Sequence, residues 1–208
     1  MDKLLGFFKM TKIGTSRLEE KKKVALPAVV GLVGFAVATI VFQLYNLHLC
    51  RIGIVIATGM VIGGFLQLLA GYLEFKVGNS FAFCAFSGYG SMWVALAIIF
   101  FFEAFTPIQI GVFDTGFFLM IWVLFTAILW WAAIRINSAL ALTFTLLFLG
   151  LIMADFASFL PMLSSVLLPI SSYILIGSSL TALYIVASSI YEEVFGRVYL
   201  PLGPPWMR

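Results

Sequence analysis

Six apolar runs, 25–47, 52–73, 80–102, 115–134, 139–157 and 170–190, are separated by short polar breaks and flanked by polar ends. A hydrocarbon core of about 30 Å takes roughly 20 helical residues to cross, and each run is about that long. Lipid offers no partner for free backbone groups, so runs of this kind are predicted to be helices. The pattern predicts an all-α polytopic membrane protein with six transmembrane helices. A basic N-terminal tail occupies 1–24, the membrane domain 25–191 and a C-terminal tail 192–208. Composition agrees: 63% of residues are hydrophobic, 10% are charged and 22 are phenylalanine. With a mean hydropathy of +1.14, the chain has more apolar surface than a soluble core of 208 residues hides.

Charge sets the orientation. Lys3, Lys9, Lys12, Arg17, Lys21, Lys22 and Lys23 precede span 1, Lys76 follows span 2, Arg135 follows span 4, and Arg197 and Arg208 follow span 6. Only Arg51 falls at the opposite end. The positive-inside rule then places both termini in the cytoplasm of a multi-pass plasma-membrane protein. The tail, with Leu4, Leu5, Phe7 and Phe8 among its lysines, is either a short amphipathic helix on the inner leaflet or a solvated segment. Its apolar run is too short for a cleaved signal peptide. The net charge of +3 reads as topology, with the lipid bilayer as partner and no nucleic acid. Cys50 and Cys84 fall at different depths, too far apart to bridge, and are read as packing residues.

Catalytic chemistry finds no foothold. His48 is the single histidine, and no zinc, Walker, Rossmann or nucleophile-elbow pattern is present, so neither an enzyme nor a metal or other cofactor is expected. The serines of span 6 have no base beside them and suit close helix packing or the lining of a path.

The polar groups that remain lie on stripes. In span 2, Gly59, Gly63, Gln67 and Gly71 recur every fourth residue, with Glu74 a turn further on. Glycine stripes admit a neighbouring helix, but an amide in lipid must face a partner or water, so Gln67 is predicted to look inward. Glu74, near Lys76, Gly78 and Asn79, is either an interfacial charge paired with Lys76 or Arg135, or a proton-sensitive group at the inner mouth. In span 1, Phe35, Thr39, Gln43 and Asn46 share a face, and in span 5 Phe144, Phe148, Leu151 and Asp155 do, Asp155 falling at the wet outer boundary. Ser87 and Thr145 join Thr39, Gln43, Asn46, Gln67 and Asn79 as pathway candidates. Counting 1.5 Å per residue, Phe35 lies about 16 Å beyond Val24, Tyr89 about 15 Å beyond Asn79 and Phe144 about 13 Å beyond Arg135. The three aromatics share a middle layer, which suits a packed core or a hydrophobic constriction between polar vestibules.

The run "AGYLEFKVGNSFAFCAFSGYGSMW", with "PAVVGLVGF" before it and "EEVFGRVYLPLGP" after, resembles the acetate uptake transporter family, also called the succinate-acetate permease family. The resemblance covers nearly the whole chain after the tail. It implies six-helix protomers in a homo-hexamer, each with its own pore, passing acetate and small monocarboxylates, sometimes succinate, with proton coupling. It also implies a collar of an aromatic, a tyrosine and usually a leucine, falling here on Phe35, Tyr89 and Phe144, the last a departure. Leu26, Val29 and Val30 depart from the family's Asn-Pro-Ala-Pro-Leu start, Gly88 stands where a serine is common, and Asp155 where an asparagine is.

The mechanism expected from these residues passes a carboxylate along hydroxyl and amide donors to Tyr89, whose hydroxyl donates to it, and carries a proton across the collar. An uncoupled anion channel, a pore for ammonia, urea or formate, and a membrane protein that transports nothing are the rival readings.

Overall fold

The computed structural model describes residues 25–207. The N-terminal tail and Arg208 lie outside the described residues. Among the described residues six helices are long and apolar enough to cross a membrane: α1 Pro27–Asn46, α2 Ile52–Val77, α3 Ser80–Phe105, α4 Val112–Ala133, α5 Ser138–Phe159 and α6 Ser164–Phe195. A 3-10 turn, Pro161–Leu163, leads into α6. The chain is a multi-pass membrane protein, and its outward faces carry Val61, Leu124, Ile128 and Tyr173, all exposed as lipid-facing residues are.

Local chemistry fixes the helix ends. Pro27 opens α1, where its missing N–H costs nothing, but Leu26 at the cap position supplies no side-chain bond. The predicted second span stops at Leu73, whereas α2 runs on to Val77 and ends at Gly78, whose φ of 82° suits a residue without Cβ. Asn79 then caps α3, its Oδ1 accepting from the Ala82 amide at 3.2 Å. Asn137 caps α5 in the same way, accepting from the Leu140 amide at 2.9 Å.

Over Gly59–Leu66 the backbone of α2 widens into π geometry. Runs of this length are unusual, and within this one the packing is close: a Cβ at Gly63 would lie 2.6 Å from Cγ of Trp93. Bare backbone lets the indole of α3 seat directly on α2.

The helices close on themselves in chain order. α1 packs on α2, α2 on α3, α4 on α5, α5 on α6 and α6 on α1. The remaining seam, α3 to α4, is aromatic, with Tyr89 centred 6.4 Å from Trp122 and 5.4 Å from Phe125. α6 ends at Gly196, and the segment after it returns across the α4–α5 corner, where the Ala139 amide donates to the Leu202 carbonyl at 2.9 Å and the Trp206 amide to that of Ile134 at 2.9 Å. The predicted C-terminal tail is thus hydrogen-bonded to the bundle.

Candidate functional site: two chambers and a shared wall

A ring of helices in chain order leaves a lumen, and here the lumen is two cavities. One, of about 270 Å³, opens toward the end that carries Lys76 and Arg135; the other, of about 220 Å³, lies toward the Arg51 end. They are called inner and outer after the charge argument. Three residues line both: Phe35 of α1, Tyr89 of α3 and Leu147 of α5. Each helix contributes to the inner chamber before its shared residue and to the outer chamber after it, as Ala28 and Thr39 do on α1, Asn79 and Trp93 on α3, and Asn137 and Leu151 on α5.

Phe35 and Tyr89 are centred 6.4 Å apart, and both are buried in the core together with Leu147. Phe144, one turn earlier on α5, lines the inner chamber alone and packs on Phe81 at 5.6 Å. The shared wall therefore contains Leu147 where the sequence reading placed Phe144. Counting rise gives depth but not azimuth, and a residue advances 100° around the axis, so neighbouring turns are not separated by depth alone.

The tyrosine hydroxyl is committed. Oη of Tyr89 lies 2.8 Å from Oγ1 of Thr126, and Thr126 donates its one hydrogen to the Trp122 carbonyl at 2.7 Å. Tyr89 must then be the donor in its pair with Thr126. In this structure the hydrogen that the sequence analysis expects Tyr89 to offer a passing carboxylate is directed at Thr126.

The outer chamber holds Thr39, Gln43 and Asn46 of α1. Asn46 Nδ2 donates to Gln43 Oε1 at 3.0 Å, which leaves the Gln43 amide nitrogen as the donor end. Trp93 lines the same chamber, and its buried Nε1–H has no partner among the described residues. Nothing in the sequence singled out this indole, because whether its N–H finds a partner is decided by contacts between helices.

The inner chamber holds Gln67, Asn79, Asn137 and Thr143. Gln67 has no exposed surface, and neither Oε1 nor Nε2 finds a partner among the described residues. Each such atom costs about 1–3 kcal/mol when buried unpaired. Asn137 was missed by the sequence reading, although it opens an Asn-Ser pair as Asn79 does.

Four candidates sit elsewhere. Ser87 lines neither chamber; a Cβ on Gly71 would collide with its Oγ, which marks a tight α2–α3 contact. Thr145 accepts from Trp130 Nε1 at 2.8 Å and donates to the Ala141 carbonyl at 2.7 Å, so it ties α5 to α4. Asp155 is half-buried, its Oδ1 closed off without a partner among the described residues, whereas the sequence placed it in water. It too is absent from both chamber walls, as is Phe148, which stacks on Trp130 at 5.6 Å. Glu74 is buried at 2% exposure on the Gln67 stripe but lines neither chamber. Lys76 lies over the Tyr72 ring at 4.7 Å and Arg135 over Trp131 at 5.7 Å, so neither makes the expected pair with Glu74.

Residues 8–201 match the model of the GPR1/FUN34/yaaH family. The chain is 31% identical over 191 residues to the succinate-acetate/proton symporter SatP of Escherichia coli strain K12, covering 87% of this chain and 96% of that one. It is 35% identical over 153 residues to acetate permease A of Emericella nidulans, covering 67% of this chain and 51% of that one. Among solved structures, that of the bacterial acetate channel SatP superposes with a TM-score of 0.82 at 29% identity, over 87% of this chain and 100% of the other.

Proposed function

Since this chain belongs to the GPR1/FUN34/yaaH family, we propose that it carries acetate and related small monocarboxylates, succinate among the candidates, across the membrane through a pore in each protomer, with a proton accompanying each carboxylate. The observation that carries the reading is the pair of chambers sharing only Phe35, Tyr89 and Leu147 as common wall. Polar groups on either side hold a small acid, and the apolar wall between them is the barrier it must cross.

Magnitudes decide the crossing species. A carboxylic acid with a pKa near 4.3 costs about 3–4 kcal/mol to protonate at pH 7. Taking a bare carboxylate out of water costs several kcal/mol at least, up to about 20 in the idealised limit. The wall supplies no cation, and Tyr89 gives its hydrogen to Thr126. Protonation is the cheaper route, so uptake rises as external pH falls. We extend the reading to a homo-hexamer, with six pores side by side.

Labelled acetate uptake by proteoliposomes tests it. Uptake is expected to accelerate when the outside is made acid relative to the lumen. Acetate flux indifferent to that gradient leaves an uncoupled anion channel, and stronger competition by urea, ammonia or formate than by propionate moves the assignment to another small solute. Mass measurement of the detergent-solubilised protein tests the hexamer.

A further inference from the structure

We propose that Gln67 is a recognition site for the protonated carboxyl group, binding the neutral acid by a two-point amide–acid pair and rejecting the carboxylate; this rests on the transport reading above. A primary amide presents a donor and an acceptor side by side. In Gln67 both are buried and both lack a partner among the described residues. The side chain is seated by design of its neighbour, since a Cβ on Gly34 of α1 would stand 2.8 Å from Gln67 Cγ.

The rest of the inner chamber shows why this acceptor matters. Asn79 and Asn137 already engage their oxygens in the caps of α3 and α5. Thr143 donates to the Ala139 carbonyl at 2.9 Å and meets Thr181 at 2.9 Å. Gln67 is the side chain of this lining whose donor and acceptor both lack a partner among the described residues. A carboxylate satisfies only Nε2 and sets its charge against Oε1. A neutral acid satisfies both, its O–H donating to Oε1 while its C=O accepts from Nε2. A primary carboxamide has the same pattern without a titrating proton.

Gln67 faces few groups that titrate. Among the described residues of the helices packed on α2, α1 carries Tyr45 at its outer end, and α3 carries the exposed Cys84, Tyr89 and, at its outer end, Glu103. Tyr72, Glu74 and Lys76 belong to α2 itself, and of all these only Tyr89 lines the inner chamber. The proton is therefore assigned to the substrate. The amide atoms carry no water-accessible area in this structure, so binding requires the amide to turn toward the chamber that Gln67 lines.

The test compares acetamide, which has both halves of the pattern, with acetone, which only accepts. Saturation-transfer NMR on the purified full-length protein is expected to show acetamide binding about tenfold more tightly than acetone, the preference vanishing in Gln67→Met. In proteoliposomes, Gln67→Met is expected to raise the acetate KM, expressed as neutral acid, about tenfold while maximal flux changes less than about threefold. Gln67→Glu restores the acetamide preference only at acid pH, where its own carboxyl is protonated. Equal binding of the two probes to wild type, or an acetamide preference that survives Gln67→Met, overturns the assignment. Absence of acetate flux in wild type would defeat the transport reading instead, and the binding comparison still decides Gln67.

Discussion

Tyr89 hands its hydroxyl hydrogen to Thr126 across 2.8 Å, and Thr126 passes its own to the Trp122 carbonyl. The ring that borders both chambers is thereby tethered to α4, and its oxygen is left as an acceptor.

Tyr89→Phe is expected to keep acetate flux within about threefold of wild type, since one hydrogen bond worth about 1 kcal/mol is lost and no substrate donor is removed. Tyr89→Ala deletes the ring itself and is expected to raise the rate for larger acids such as succinate relative to acetate. Flux assays on the pair check this, and a phenylalanine variant as dead as one that has lost its fold would show that the hydroxyl acts on substrate.

Leu147 and Phe144 separate the two versions of the wall. Leu147 lines both chambers, Phe144 one. Leu147→Ala is expected to widen the passage and raise the rate for propionate and lactate relative to acetate. Phe144→Ala enlarges the inner chamber and is expected to leave that ratio within about twofold, a loss of contact area being its main consequence. Relative rates across an acid series distinguish them, and the opposite ranking would restore Phe144 to the wall.

Thr145→Val is expected to weaken the protein and spare its selectivity. Removing Oγ1 leaves the Trp130 indole N–H unpartnered, at a cost of about 1–3 kcal/mol. The thermal midpoint in detergent should fall while the acetate KM holds, and Ser87→Ala should hold KM as well. A shifted KM in either variant would return that residue to the pathway.

Gly63→Ala places a Cβ 2.6 Å from Trp93 Cγ. Overpacking of this kind costs about 1–3 kcal/mol, so the melting temperature is expected to drop. Partial restoration by combining Gly63→Ala with Trp93→Ala, which removes Cγ while the Ala38 Cβ at 2.8 Å remains, would identify the indole as a collision partner; a silent Gly63→Ala would mean the neighbouring helices separate freely.

Much of this molecule was legible in one dimension because lipid imposes its rules residue by residue. Spans had to be helical, apolar and about 20 residues long, and buried amides had to look inward, so the six helices and the burial of Gln43 and Gln67 could be read from runs and stripes. The cap at Asn79 is local as well, a side chain bonding an amide three residues on, although the sequence analysis gave Asn79 only a place on the pathway. What the sequence left open was set by azimuth and contact. Whether Phe144 or Leu147 forms the shared wall depends on how α5 is rotated against α1 and α3, which a rise per residue does not encode. Thr145 turns to Trp130 and Ser87 to Gly71 because those partners stand on other helices. The π segment of α2 and the unpartnered indole N–H of Trp93 are likewise features of the folded helix pair, which meets closely at Gly63. Local chemistry decided what each helix is, and packing between helices decided which of its groups were left for a substrate.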